Sequence, residues 1–345
     1  MKYRYLAVVL MAGTAAGQSP LPGTAPLTGH GDLAAEMVSG IHEYLVEKSA
    51  ASPAQRARYW HRDFASAAAY ARSIEPNRRD LARIIGAVDP TLPVKALELE
   101  STTAASALAG RGRGYRIEAV RWPVWRGVYG EGLLLEPEGA PIARVVALPD
   151  ADESPEALAG LSAEIPAAAQ FARRLAESGC QVLVPVLIDR QDTWSGIPAV
   201  GKMTNQPHRE WIYRMAFEVG RGMVGYEVQK VRAAVDWFAA ENAGHAVPIA
   251  VAGYGEGGLL ALYSAALDTR IDAALVSGYF QPREELWKEP IYRDLWGLLR
   301  EFGDAEIAGM IAPRGLVVEA SRMPRVTGPP PPIPGVRTGA APNGA

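Results

Sequence analysis

The stretch Val247–Leu267, VPIAVAGYGEGGLLALYSAAL, decides the fold because it has the pattern of a strand, a glycine turn and a helix. Two motifs with a known mechanism share this layout. One is the dinucleotide fingerprint, G-x-G-x-x-G, which Gly253, Gly255 and Gly258 satisfy. The other is the nucleophile elbow, G-x-S-x-G, which Gly253 and Gly257 satisfy with Gly255 in the place of the serine.

The surrounding sequence favours the elbow over the dinucleotide fingerprint. A dinucleotide site needs an acidic residue near the end of the next strand, where it binds the ribose hydroxyls. The next predicted strand, IDAALVSGYF, carries its one acid, Asp272, at its start. An elbow instead needs small residues two positions before and after its apex, as Gly253 and Gly257 provide. A nucleotide site in the Gly253–Gly258 loop stays open as an alternative.

Alternating strand and helix patterns predict the architecture of the chain. The segments YRIEAVRWPVW, ARVVALPD, QVLVPVLI, PIAVAG and RGLVVEAS have strand character, and helical segments separate most of them. We predict helices at residues 165–178 and through a long stretch to Glu241. The pattern predicts an α/β fold with a mostly parallel sheet flanked by helices. An N-terminal helical segment precedes it, in which Ser52 and Pro53 predict the start of a second helix.

Composition and the N-terminal sequence indicate where the protein is located and which kinds of partner its charge disfavours. The chain has 345 residues, is 48% hydrophobic and 21% charged, and carries a net charge of −3, which argues against nucleic acid as a partner. Lys2 and Arg4, an apolar run, and small residues at Ala15 and Gly17 predict a cleaved export signal. We therefore expect a periplasmic or secreted protein with no membrane span after cleavage. Cys180 is the only cysteine, so no intramolecular disulfide forms.

The predicted organisation has four parts. Residues 1–17 are a signal peptide, and residues 18–110 form a leader with the N-terminal helical segment. Residues 111–322 form the α/β domain, and residues 323–345 are a tail or linker rich in Pro and Gly.

The segments VAGYGEGG and IAPRGLVVEA, in this order, resemble the α/β-hydrolase superfamily, and in particular its acetyl xylan esterase and dienelactone hydrolase branch. Ala312, Pro313 and Arg314 match the segment that precedes the family's acid-bearing strand. The resemblance, which covers about residues 115–321, implies an α/β-hydrolase fold. It also implies Glu319 as the candidate acid and, in active relatives, hydrolysis of carbohydrate esters by a serine, an acid and a histidine.

Two members of that triad are absent from their expected positions. Gly255 has no side chain with which to attack a substrate, and every histidine precedes the elbow: His30, His42, His61, His208 and His245. Tyr254 or Glu256 as a displaced nucleophile is an alternative, but an elbow aims only its apex residue into the pocket. We therefore expect both side chains to face solvent or the pocket rim. Asp150 and Asp152 are expected to oppose, by their charge, an oxyanion at this site.

The leading hypothesis is an exported protein of this fold that has lost the family's catalysis and acts in ligand binding or assembly. One alternative is a carboxylic-ester hydrolase with an unusual nucleophile, or with its histidine beyond residue 345. The sequence predicts no cofactor and no metal site, because His208 has no second ligand at suitable spacing. A small molecule or carbohydrate is the expected ligand. A group of aromatic side chains could stack on a sugar, although packing in the core is the commoner explanation: Tyr279, Phe280, Trp287, Tyr292 and Trp296.

Overall fold

The structure, a computed structural model, describes residues 22–24, 31–197, 202–203, 206–285 and 289–326. The chain divides into two compact units, residues 1–48 and residues 49–345. In the first unit, the described residues from Leu33 onwards are helical. The predicted signal peptide and most of the predicted tail lie outside the described residues.

The elements are bounded as follows. The helices are α1 (Leu33–Gln55), α2 (Ala67–Ser73), α3 (Glu75–Ile84), α4 (Pro155–Ala159), α5 (Phe171–Glu177), α6 (His208–Glu218), α7 (Met223–Glu241), α8 (Glu256–Leu267), α9 (Leu298–Glu301) and α10 (Asp304–Gly309). The strands are β1 (Glu98–Leu99), β2 (Leu108–Gly112), β3 (Tyr115–Trp125), β4 (Val128–Pro137), β5 (Arg144–Leu148), β6 (Gln181–Pro185), β7 (Gly196–Ile197), β8 (Lys202–Met203), β9 (Ile249–Tyr254), β10 (Ala273–Ser277) and β11 (Gly315–Glu319).

One mixed sheet organises the second unit. Its strand order is β1-β3-β4-β6-β5-β9-β10-β11, and β2 pairs with β3 outside this path. The pairs β5–β6, β5–β9, β9–β10 and β10–β11 are parallel. The pairs β3–β4 and β4–β6 are antiparallel. The α/β fold with a helix-flanked sheet predicted from the sequence is confirmed, but the sheet is mixed and not mostly parallel. Among the described residues, four of its strand pairs are parallel, and four are antiparallel: β1–β3, β2–β3, β3–β4 and β4–β6.

Both faces of the sheet are covered by apolar residues. In β5, Val146 and Leu148 belong to the core that includes residues of α7, α8 and α10, whereas Val145 and Ala147 belong to the core that includes residues of α5. This alternation follows from the two-residue period of a strand. Helix α8 is buried along its whole length. A strand covered on both faces is continuously apolar, as the sequence of β5 indicates.

Three local predictions are wrong. The long helix before Glu241 is two helices, α6 and α7, because residues 220–222 break it and Gly220 has a φ of +67°. The helix predicted at 165–178 is the shorter α5, which follows a 3-10 turn at Ala167–Ala169 and a non-helical Gln170. Ser52 and Pro53 lie inside α1 and start no new helix. None of the described helices combines the length and hydropathy that a bilayer crossing requires.

Candidate active site

The predicted elbow is present between β9 and α8. Gly255 connects them with φ +59° and ψ −118°, a conformation that only glycine adopts without strain. A Cβ atom at Gly253 would lie 2.0 Å from the carbonyl oxygen of Gly257, and one at Gly257 would lie 2.1 Å from that of Leu148. The turn therefore requires glycine on both sides of its apex, as the sequence predicts.

The apex itself is covered by other parts of the chain. A Cβ atom at Gly255 would lie 2.4 Å from Oδ1 of Asp150 and 2.6 Å from Cγ of Pro324. The hydroxyl of Tyr254 donates a hydrogen bond to the carbonyl oxygen of Arg322 at 3.1 Å. The described start of the predicted tail thus lies against the elbow. No side chain larger than glycine fits at the apex unless Asp150 and Pro324 move.

Asp150 occupies the position that an oxyanion would take. It follows β5, and its Oδ1 accepts the backbone N–H of Glu256 at 2.8 Å. In this fold, the N–H of the residue after the nucleophile stabilises the negative charge of the intermediate. Arg190 binds the same carboxylate through both terminal nitrogens, at 2.6 and 3.1 Å. Burial opposes ionisation of Asp150, but these contacts lower its pKa below the ordinary value.

This geometry refines the expectation that Asp150 and Asp152 would oppose an oxyanion. Asp150 blocks the site by filling it, and Glu256 donates its N–H to this carboxylate. Asp152 is exposed, and its Oδ2 accepts a hydrogen bond from Arg190 at 2.9 Å. Both acids are therefore held by one arginine.

Glu256 is buried in a cluster of arginines, so the expectation that it faces solvent or the pocket rim is wrong. Its side chain is 0% exposed. Arg293 lies 2.7 Å from the carboxylate, Arg209 lies 3.1 Å from it, and Arg190 lies 3.3 Å from it. Burial raises the pKa of Glu256, but Arg293 and Arg209 outweigh this effect and lower the pKa to about 2. The hydroxyl of Tyr292 donates to it at 3.4 Å.

The cluster is balanced by two further carboxylates. Glu227 of α7 pairs with Arg209 at 2.7 Å, and Glu289 pairs with Arg293 at 2.9 Å. A buried charge is tolerated where it is paired and hydrogen-bonded, as here. Because both oxygens of Glu256 are bound by arginines, this carboxylate is fitted to stabilise the fold and not to attack a substrate.

Tyr254 is equally unsuited to nucleophilic attack. Its hydroxyl is bound to a backbone carbonyl, and burial together with the nearby charge of Glu153 raises its pKa above the ordinary value. A phenolate is therefore disfavoured at neutral pH.

Glu319, the candidate acid, lies at the end of β11 and is bonded to serine. Its Oε2 accepts a hydrogen bond from the hydroxyl of Ser277, and this hydroxyl also lies 2.7 Å from that of Ser321. The carbonyl oxygen of Ser277 accepts the N–H of Gly255 at 3.0 Å. The structure therefore brings Glu319 to the strand that borders the apex, as the resemblance implies.

Within the described part of the chain, no hydrogen bond joins Glu319 to a histidine. His208 is bound elsewhere: its Nδ1 lies 2.6 Å from Oδ1 of Asp189, and its Nε2 accepts the backbone N–H of Trp194 at 2.8 Å. These contacts tie the loop before α6 to the start of this helix. His208 has no nitrogen left for proton transfer.

The aromatic residues that could form a sugar-stacking wall, or more commonly pack in the core, are divided between the core and the surface. Tyr279 and Tyr292 are buried, at 2% and 3% exposure. Phe280 is partly exposed, Trp296 is 75% exposed, and Trp287 lies outside the described residues. The buried tyrosines contact the arginine cluster, since Arg293 lies over the ring of Tyr279 and Arg209 lies over that of Tyr292.

The dinucleotide alternative gains no support from the geometry. Asp272 lies just before β10, where its Oδ2 accepts the backbone N–H of Ile249, at the opposite end of the strands from the glycine turn. The first N–H of α8, which would face a phosphate in such a site, is bound by Asp150.

Sequence reasoning missed the residues that surround the elbow most closely. Arg190, Arg209 and Arg293 come from three separate segments, and no spacing in the sequence links them to Glu256. One signal was present: Glu227 and Gln229 are polar residues in an otherwise apolar stretch at the start of α7, and both are buried. A charged residue in such a position requires a buried partner.

Comparisons with known proteins agree with this fold. Residues 131–291, which include the elbow, match the sequence model of the Dienelactone hydrolase family. No curated protein sequence matches the chain. Among solved structures, a proposed acetyl xylan esterase from Bacteroides fragilis NCTC 9343 aligns with a TM-score of 0.57 and 18% identity, over 79% of this chain and 74% of that one.

Two other structures align less closely. A glucuronoyl esterase from Solibacter usitatus has a TM-score of 0.45 and 15% identity, over 72% of this chain and 74% of that one. Acetyl Xylan Esterase 1 from Thermoanaerobacterium sp. JW/SL YS485 has a TM-score of 0.42 and 11% identity, over 70% of this chain and 76% of that one.

Proposed function

We propose that the chain is an α/β-hydrolase of the dienelactone hydrolase type, and that its elbow holds one of its own carboxylates where relatives with a complete triad hold an ester. On this proposal the protein has a binding role and does not hydrolyse esters through the elbow. Export to the periplasm or the medium is part of the proposal and rests on the sequence of residues 1–17.

The observation that carries this proposal is the bond from the N–H of Glu256 to Asp150. A substrate carbonyl needs that N–H at the moment when negative charge develops on its oxygen. Asp150 already supplies a full negative charge there, and Arg190 binds it through two hydrogen bonds. A substrate would have to displace an ionised side chain before any attack.

A second candidate, carboxylic-ester hydrolysis, is favoured by the family match and by one local contact. The hydroxyl of Ser277 donates to Glu319 beside the apex, and a serine bonded to a carboxylate has the elements of a nucleophile and a base. In this candidate Ser277 attacks the ester carbonyl while Glu319 accepts the proton of the serine hydroxyl. The bond to the alcohol then breaks, the alcohol leaves with that proton, and water hydrolyses the acyl-serine to release the acid and restore the serine. Carbohydrate esters are the substrate class that the resemblance implies.

Turnover of 4-nitrophenyl acetate and of acetylated xylan separates the two candidates. The leading proposal predicts that the purified chain releases no more nitrophenolate or acetate than its Ser277→Ala variant does. Turnover that is lost in both Ser277→Ala and Glu319→Gln would overturn it and establish the second candidate. Glu218→Gln serves as the control, because Glu218 is exposed and lies in α6.

A further inference from the structure

A cavity of about 610 Å³ lies outside the elbow. Its lining comes from the 3-10 turn at Arg56–Tyr59, from α3, from the end of α6, and from residues 294–301. A cavity of this volume suits a small molecule. We propose that it is a binding site for a neutral saccharide, whether or not the elbow cleaves esters.

Aromatic side chains supply the flat apolar surfaces of the cavity. Tyr59, Phe217 and Trp296 line it, and Phe217 and Trp296 are 43% and 75% exposed. The exposed indole of Trp296 leaves a flat apolar face of the cavity open to a ligand. The C–H face of a pyranose ring is apolar and flat, so it packs on such a surface while its hydroxyls face polar groups.

The polar lining is balanced in charge. Arg83, Arg221 and Arg300 line the cavity together with Asp80, Asp294 and Glu301. Arg83 is paired with Asp80 at 2.6 Å, and Arg221 is paired with Asp89 at 2.6 Å. Equal numbers of opposite charges, with these two arginines already paired, favour a neutral ligand over an anion or a cation.

Asp294 offers an acceptor that no described residue uses. Its Oδ1 is buried and makes no hydrogen bond within the described part of the chain. A buried acceptor without a donor is costly, and a sugar hydroxyl is a suitable donor. Arg300 adds a donor at the rim, where it also donates to the hydroxyl of Tyr59 at 3.3 Å. The cavity thus combines aromatic faces with a donor and an acceptor, the two kinds of surface that a pyranose presents.

Isothermal titration calorimetry with methyl β-D-xylopyranoside and methyl β-D-glucopyranoside tests the proposal. We expect the full chain to bind at least one of them, and Trp296→Ala to weaken binding by about tenfold, which corresponds to about 1.4 kcal/mol. Asp294→Ala is expected to weaken binding as well. Trp194→Ala is the matched control, because Trp194 is 80% exposed and does not line the cavity.

Three outcomes would overturn the proposal. They are no binding of either glycoside at millimolar concentration, equal binding by Trp296→Ala and the unmodified chain, and binding of benzoate or benzylamine in place of both glycosides. Trp296 is exposed, so its replacement is expected to leave the melting temperature unchanged, and thermal unfolding of each variant verifies this. Because the readout is binding, failure here is distinct from failure of the ester-turnover experiment.

Discussion

Oδ1 of Asp150 lies 2.8 Å from the backbone nitrogen of Glu256, the first residue of α8. The carboxylate thereby binds the amide at the N-terminus of a buried helix, where the helix dipole favours negative charge. The same Oδ1 lies 2.4 Å from the position that a Cβ atom at Gly255 would take. One side chain therefore fills both the site of charge stabilisation and the space next to the apex.

Restoring the serine of the elbow is expected to destabilise the protein. Gly255→Ser places a side chain at φ +59° and against Asp150 and Pro324, so we expect a loss of about 2–5 kcal/mol in the free energy of unfolding, from backbone strain and from overpacking. Urea denaturation measures it. Gly127→Ser is the matched control: Gly127 has φ +77° and no atom within 4 Å of a Cβ, so about 1–2 kcal/mol is expected. Equal stability of the two variants would contradict the crowding at the apex.

Replacing Glu256 by an uncharged residue is expected to lower the free energy of unfolding more than the same replacement of an exposed glutamate does. Glu256→Gln leaves Arg190, Arg209 and Arg293 without the carboxylate that they share, and breaking a buried ion pair costs about 3–5 kcal/mol. Thermal and urea unfolding measure this loss. Glu218→Gln, at an exposed position, is expected to change the free energy of unfolding by less than about 0.5 kcal/mol. A Glu256→Gln protein as stable as Glu218→Gln would contradict the role of Glu256 as the shared partner of these three arginines.

Asp304 is expected to make stability depend on pH. Burial raises its pKa from 3.8 to about 6, although Arg283 lowers it. The folded state therefore binds the proton more tightly than the unfolded state, and the free energy of unfolding falls as pH rises from about 4 to about 6. The contribution is up to about 3 kcal/mol, since one pKa unit corresponds to about 1.4 kcal/mol.

Asp304→Asn isolates that contribution. Between pH 4 and pH 7, the free energy of unfolding measured by urea denaturation should decrease less in the variant than in the unmodified chain. Part of the decrease remains, because burial also raises the pKa of Asp294 to about 6. Identical pH profiles for the two proteins would show that Asp304 titrates as it does in the unfolded chain.

The fold could be predicted from local sequence because its determinants are local. Gly253 and Gly257 are dictated by contacts within one turn, and the apolar run of β5 follows from burial on both faces. The break between α6 and α7 was missed because glycines inside a helical pattern do not reveal, by themselves, whether the chain turns there. Tertiary packing at residues 220–222 decides it.

The surroundings of the elbow could not be predicted because they depend on long-range pairs. Glu256 lies 66 residues from Arg190 and 37 residues from Arg293 along the chain. A glutamate beside an elbow is ordinarily exposed, so its burial follows only from the arrival of three arginines from distant segments. The contact of Pro324 with the apex was hidden in the same way, since a proline-rich segment is typical of a linker.

The central claim is that Asp150 holds the position at which relatives with a complete triad stabilise negative charge, and Asp150→Ala with added formate tests it most directly. The variant removes the acceptor of the N–H of Glu256 and of two hydrogen bonds from Arg190, and it leaves a space the size of a carboxylate between them. Formate is predicted to raise the melting temperature of Asp150→Ala by several degrees, as about 1.4 kcal/mol is gained at roughly ten times the dissociation constant, and to leave the unmodified chain unchanged. A melting temperature of Asp150→Ala that does not respond to formate, or an equal rise in the unmodified chain, would contradict the claim.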